Sequence, residues 1–136
     1  MISLETLSHD EAYRILGALK AELERRQVGA AVAVVDAHGE LLAFLRTDSC
    51  RLSCIDVAIN KAFTAARERG ASKGLGDASK KSGFPLTYFG DTRYVGWGGG
   101  VPVWSNGRVV GAVGVSGMSE DEDMTVARMG AQLFER

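Results

Sequence analysis

The stretch from Trp97 to Asp123, WGGGVPVWSNGRVVGAVGVSGMSEDED, constrains the fold more than any other part of the chain. At its centre, Ser105-Asn106-Gly107-Arg108 separates two apolar runs. An Asn-Gly pair in that setting is the strongest short-range hairpin signal, because both turn residues must take positive φ. Val101 to Trp104 and Val109 to Ser116 are therefore predicted to pair as antiparallel strands. Gly111 and Gly114 remove side chains from the return strand, which implies close approach by a helix or a ligand. Gly117-Met118-Ser119 then turns the chain. Ser119-Glu120-Asp121-Glu122 caps a final helix, with Met124, Ala127, Ala131 and Phe134 expected on its inner face.

A second hairpin lies earlier. Ala31–Asp36 (AVAVVD) and Leu41–Arg46 (LLAFLR) are short apolar runs joined by Asp36-Ala37-His38-Gly39, whose glycine can take positive φ. Helices surround the hairpins. Ser8-His9-Asp10-Glu11 is a capping box, and Ala12, Ile15, Leu16, Leu19 and Leu23 recur at helical spacing, so residues 8–27 are predicted helical. Ser53-Cys54-Ile55-Asp56 repeats the capping pattern before an alanine-rich helix over 53–69. Its apolar stripe is Ile55, Ile59, Ala62, Phe63 and Ala66. Asp56, Asn60 and Thr64 form a polar stripe at i, i+4, i+8, with Lys61 beside it.

Gly70 to Gly100 has no clear period. It carries nine of the seventeen glycines and half of the aromatic residues. A short helix over Ala71–Lys81, with Leu75 and Ala78 on one face, and a fifth strand around Arg93–Gly96 are expected within it. The order α-β-β-α-loop-β-β-α implies an α+β domain, with helices packed on an antiparallel sheet.

The chain has 136 residues, one domain's length, enough to bury a core without disulfides or a structural metal. Net charge is −1 with no basic block, so the electrostatic term that dominates nucleic-acid binding is missing. No apolar run is long enough to span a membrane, and no signal-peptide pattern opens the chain; a cytoplasmic protein is expected. Cys50 and Cys54, four apart at a helix start, would share a face without orienting for an easy disulfide. They read as two small, partly buried thiols. With only His9 and His38 as further ligands, no metal site is expected.

The candidate site combines several of these segments. Gly96-Trp97-Gly98-Gly99-Gly100 lacks the Lys-Ser/Thr ending of a phosphate loop and precedes a strand, so it reads as a close-lying wall or a tight connector. The acidic run Glu120–Asp123 suits a helix N-terminus and repels anions. Either it only stabilises that terminus, or Asp121 or Asp123 binds a donor group. Asn60, Lys61 and Thr64 form the opposite wall or a solvated helix face. Lys61 is the natural partner for a carboxylate or phosphate. Arg93 adds a second cation beside Tyr88 and Tyr94. Neither histidine has a nucleophile partner in a recognisable motif. His38, Cys54, Met118 and Tyr94 are the residue types able to ligate haem iron, and spacing favours none of them.

The combination VAVVDAHGELLAF, DVAINKAFTAAR, GGGVPV and GRVVGAVGVSGMSEDED, in that order, resembles the GlcG/HbpS family, which also occurs as the C-terminal domain of PduO-type proteins. The resemblance implies an α/β sandwich with a central antiparallel five-stranded sheet, a homo-oligomer, and haem or a corrinoid as ligand. By motif match, Asn60, Lys61 and Thr64, then Gly99, Gly100 and Pro102, then Ser116 and Gly117 with Asp121 and Asp123 following, fall on family segments; with Trp97 of the glycine loop, Asn60, Lys61, Thr64, Gly99, Gly100, Ser116 and Gly117 are the candidate ligand-binding residues. The chain departs from the family pattern at Leu86–Trp97 and at Met118. Two functional readings follow. One is a ligand-binding or accessory protein. The other is a small cofactor-independent lyase, isomerase or hydrolase for a polar organic acid, with Lys61, Arg93, Tyr94, Asp121 and Asp123 as catalytic candidates. A third reading, an assembly module with no ligand, has the glycine loop packing between subunits.

Overall fold

The computed structural model describes residues 1–135. The chain runs α1 (His9–Arg26), β1 (Ala31–Asp36), β2 (Leu41–Arg46), α2 (Ser53–Glu68), α3 (Ser72–Ser82), β3 (Gly100–Ser105), β4 (Arg108–Ser116) and α4 (Glu120–Ala131), with 3-10 turns at Leu86–Phe89 and Gln132–Phe134. Both hairpins form, and they join through β1 and β4 into one antiparallel sheet of order β2-β1-β4-β3. Asn106 and Gly107 take φ of 52° and 76°, the paired left-handed conformations that a two-residue hairpin turn demands.

The sheet has four strands among the described residues, so the expected fifth strand does not form. The cause is that amides of the Arg93–Gly96 segment are taken up by side chains, one nearby and one on α2. The Arg93 amide donates to Asp91 Oδ1 at 2.9 Å and the Val95 amide to Thr64 Oγ1 at 3.0 Å. With those donors occupied, the segment has little left to offer a neighbouring strand.

Strand β1 is buried on both faces, and its alternation assigns the two layers. Val32 and Val34 point to a core shared with α1 and α4, including Ile15, Leu19, Leu23 and Val126. Ala31, Ala33 and Val35 point to α2, meeting Ala58, Ala62, Ala65 and Ala66. The alanines bring α2 very close: a Cβ on Gly114 would lie 2.1 Å from the Ala58 carbonyl oxygen. This contact fixes the height of α2 above β4.

The helix ends differ from expectation in one case. Ser8 and Glu11 form the full capping box of α1. Helix α2 instead begins after Leu52, itself in helical conformation, with no side-chain cap, so Ser53 lies inside the helix. Helix α3 buries Ser72 and Gly76, not Leu75 and Ala78, because its backbone packs directly on Gly96. Helix α4 buries Asp123, Val126, Ala127, Gly130 and Ala131, while Met124 and Phe134 are only partly covered. A purely apolar template misses that face because a carboxylate belongs to it.

Candidate functional site

A cleft of about 410 Å³ opens where the N-terminal half of α2 faces the end of β4 and the start of α4. From α2 and the turn before it come Arg51, Ser53, Cys54, Val57 and Lys61; from the glycine loop, Trp97 and Gly98; from the β4–α4 turn, Ser116, Gly117 and Met118, then Glu120 and Asp123. Cys54, Val57 and Lys61 share one helix face at i, i+3, i+7. The row Ala112, Gly114, Ser116 is the face of β4 that looks toward α2, so strand periodicity delivers the Ser116 hydroxyl to the cleft.

At the floor, Lys61 and Asp123 form an ion pair at 3.1 Å, with side chains only 3% and 4% exposed. Lys61 Nζ also donates to the Val115 carbonyl at 2.9 Å, and the Met118 amide donates to Asp123 Oδ1 at 3.0 Å. Burial pushes the Asp123 carboxyl above the ordinary carboxylate range, while Lys61 and the amides of Met118 and Gly117 pull it back down. The pair pins α2 to the β4–α4 turn and carries opposite charges, so it adds little net field to the cleft.

The glycine run serves this pair more than it serves a ligand. A Cβ on Gly99 would lie 2.9 Å from Lys61 Nζ, and one on Gly100 only 2.1 Å from the Lys61 carbonyl oxygen. Gly99 has a φ of +128°, which glycine tolerates. Both glycines therefore back Lys61 from behind, and neither lines the cleft. Ser72 holds the loop at both ends: its hydroxyl donates to the Trp97 carbonyl at 2.6 Å and accepts from the Gly100 amide at 2.9 Å. Glu120 accepts from the Gly98 amide at 2.8 Å and pairs with Lys73 at 3.1 Å. The Gly98 amide first, and Lys73 second, hold the Glu120 carboxyl below its ordinary value.

Of the residues expected at the site, Lys61, Trp97, Ser116, Gly117 and Asp123 come together in the cleft. Asn60 and Thr64 do not line it. Thr64 is fully buried, accepting from the Val95 amide and donating to the Arg93 carbonyl. The expected polar stripe follows i, i+4, i+8, whereas the cleft lies on the face one residue around the helix. Arg93 is taken up elsewhere: its guanidinium sits 3.9 Å from the Phe63 ring centroid and pairs with Asp91 and Glu40. Tyr94 stacks on Phe89 at 4.1 Å, and Asp121 is exposed on the outer face of α4. The catalytic candidates that reach the cleft are thus Lys61 and Asp123.

Of the residue types able to ligate haem iron, Cys54 and Met118 line the cleft, while His38, exposed in the β1–β2 turn, and Tyr94 do not. Arg51, Ser53 and Val57 were not anticipated as lining residues, and Gly98 and Glu120 only as members of the glycine run and the acidic run. Helical spacing from Lys61 points to Val57, but nothing in the sequence marks Arg51.

Three cleft side chains keep their hydrogen-bonding capacity. Among the described residues, the Arg51 guanidinium has no ion pair, and neither the Ser53 hydroxyl nor the Ser116 hydroxyl, the latter on a residue only 6% exposed, has a hydrogen-bond partner. The Trp97 side chain stands at the rim on a residue that is 64% exposed. No helix among the described residues is long and apolar enough to cross a membrane.

The family model described as "Haem degrading protein HbpS-like" matches residues 7–132. A 15.0 kDa protein encoded between dhaT and dhaS in Citrobacter freundii is 32% identical over 133 residues, covering 96% of this chain and 94% of that protein. The crystal structure of ORFY from Klebsiella pneumoniae is similar over 98% of this chain and 94% of its own, at 28% identity and a TM-score of 0.92. The crystal structure of a PduOC–haem complex is similar over 96% of this chain and 99% of its own, at 26% identity and a TM-score of 0.86. By the family model and by near full-length similarity to the Citrobacter protein, the chain belongs to the HbpS-like family.

Proposed function

We propose that the chain is a ligand-binding protein whose cleft takes a flat, carboxylate-bearing ligand of tetrapyrrole type, haem being the first candidate. One observation carries this reading. The other charges of the cleft, Lys61, Asp123 and Glu120, are consumed by protein partners, whereas Arg51 and Ser116 are free. A guanidinium and a hydroxyl are suited to receiving a carboxylate. Trp97 supplies an exposed aromatic face for a flat ring system. Haem fits this donor set: Arg51 and Ser116 would hold a propionate, Trp97 would cover the ring, and Cys54 or Met118 would offer sulfur to the iron. Bound haem would supply an iron centre for electron or oxygen chemistry. Similarity to a protein crystallised with haem supports the choice of probe. The assembly is proposed to be a homo-oligomer, as the sequence resemblance implies.

Titration with haemin, followed by absorbance and by Trp97 fluorescence in a Trp104→Phe background, tests the reading. A saturable spectral change with parallel quenching is expected. Arg51→Glu should weaken binding by about tenfold or more, the scale of losing one charge-assisted contact. No saturable change with haemin would overturn haem as ligand, and the same result with cobalamin would overturn the tetrapyrrole class. Native mass spectrometry of the same samples reads subunit number and ligand together.

A further inference from the structure

A second cavity borders Trp97. It holds about 360 Å³ and opens between α3 and the stretch Tyr94–Trp97. Ser79 and Lys80 line it from α3, Leu86 from the 3-10 turn, and Tyr94 and Trp97 from the loop. Trp97 is the one lining residue that it shares with the cleft. A cavity of this size has room for a ring-bearing organic acid. Its walls are fixed by contacts outside it. Helix α3 meets the loop backbone to backbone: a Cβ on Gly76 would lie 2.0 Å from the Gly96 carbonyl oxygen, and one on Gly96 would lie 2.6 Å from the Gly76 Cα. The Tyr94 ring stacks on Phe89 with planes 12° apart and meets Phe63 edge-on at 5.2 Å. Phe89 rests in turn on Phe84 at 5.4 Å, and the Ser79 hydroxyl donates to the Phe84 carbonyl. Ser72 holds the Trp97 carbonyl.

Lys80 is the one charged residue that lines this cavity. Helix α3 carries Lys73, Lys80 and Lys81 against a single carboxylate, Asp77. Lys73 takes that carboxylate at 3.4 Å and Glu120 at 3.1 Å. Glu120 also feels the field of Lys80, yet its two oxygens are occupied by Lys73 and by the Gly98 amide. Among the described residues, Lys80 has no ion pair or hydrogen bond, and the Tyr94 hydroxyl has no hydrogen-bond partner. An ammonium and a phenol without partners therefore border a cavity whose remaining walls are aromatic and apolar.

We propose that this cavity is a second ligand site, which takes a planar aromatic carboxylate with its ring against Leu86, Tyr94 and Trp97 and its carboxylate on the Lys80 ammonium. Aromatic rings gain from offset or edge contacts with other rings beyond the area they bury. A carboxylate gains a charge-assisted hydrogen bond from an ammonium that has no other partner. The Tyr94 hydroxyl is the further donor available at this site. An uncharged ring would leave Lys80 unused, and an anion without a ring would leave the aromatic walls in water. The site does not depend on what the cleft binds.

The test is equilibrium dialysis of the full chain against 2-naphthoate, with 2-naphthylmethanol as the uncharged ring and acetate as the anion alone. It is run in an Arg51→Glu background, which removes the free cation of the cleft. Saturable binding of one naphthoate per chain is expected, with naphthylmethanol and acetate each weaker by about tenfold or more. Lys80→Glu, a change at an exposed residue, should weaken naphthoate binding by about tenfold or more. Lys80→Gln serves the same purpose if a new carboxylate near Glu120 disturbs the loop. Leu86→Trp should abolish binding by filling the cavity. Haemin titration of a chain carrying Lys80→Glu alone should match the wild type, because Lys80 does not line the cleft. No saturable naphthoate binding, equal affinity for naphthylmethanol or acetate, or affinity unmoved by either Lys80 variant would each overturn the proposal.

Discussion

Lys61 and Asp123 are 62 residues apart in the chain and are both buried, so each is the other's countercharge. Removing one partner leaves a buried charge without compensation, at a typical cost of about 3–5 kcal/mol. Lys61→Met is therefore expected to destabilise strongly in urea-induced unfolding, as is Asp123→Leu. The double variant should recover much of the loss, because the desolvation of two charges disappears with them. A double variant no more stable than the worse single would contradict this account. Glu120 makes a separate prediction. Its carboxyl lies below its ordinary value, so its contribution to loop order is complete above that value and is lost as pH falls through the depressed one. Trp97 fluorescence in a Trp104→Phe background should change on acidification below about pH 4, and Glu120→Gln should abolish that transition.

At the level of elements, two serines with the same sequence pattern have different roles. Ser8 accepts from the Glu11 amide at 3.1 Å and caps α1, whereas Ser53 lies within α2 and caps nothing. Ser8→Ala should cost about 1 kcal/mol in thermal or urea unfolding, and Ser53→Ala less than about 0.5 kcal/mol. Equal losses would mean that the two capping patterns act alike. The seat of α2 on the sheet depends on Gly114. A Cβ there would meet the backbone of Ala58 and Ala62, which cannot rotate away. Gly114→Ala should destabilise by at least about 2 kcal/mol, the range of overpacking in a close-packed core. Because α2 carries Lys61 and Cys54, the same change should also weaken ligand binding, as haemin titration would show.

Over the whole molecule, the hairpins, the first helix and the α+β class were legible because each rests on local chemistry: the turn residues, the capping box and the period of apolar positions. The cleft was legible in part. Lys61 stood out beside the polar stripe of α2, Ser116 at the turn that ends an apolar strand and Asp123 within the acidic run, and the structure gathers them. Arg51 did not, since an exposed arginine before a helix looks like any other. Thr64 and Arg93 were legible as polar residues but not as partners of the loop and of Phe63, because those contacts join positions 29 to 31 residues apart. The segment over 70–100 resisted reading because its backbone is satisfied by side chains, Thr64, Ser72 and Asp91, which leave no periodic signal.

The sequence by itself determined the elements and their polarity, since turn conformation, capping and amphipathic spacing act within a few residues. It also determined that α2 could lie close to β4, because alanines and Gly114 leave no side chain in the way. Only the tertiary structure decided that the sheet stops at four strands, that Gly99 and Gly100 back Lys61 instead of facing a ligand, and that Arg51 and Ser116 are left free in the cleft. Those outcomes depend on which distant donors and acceptors find one another first when buried. A buried polar group must be paired, but the sequence does not say with what.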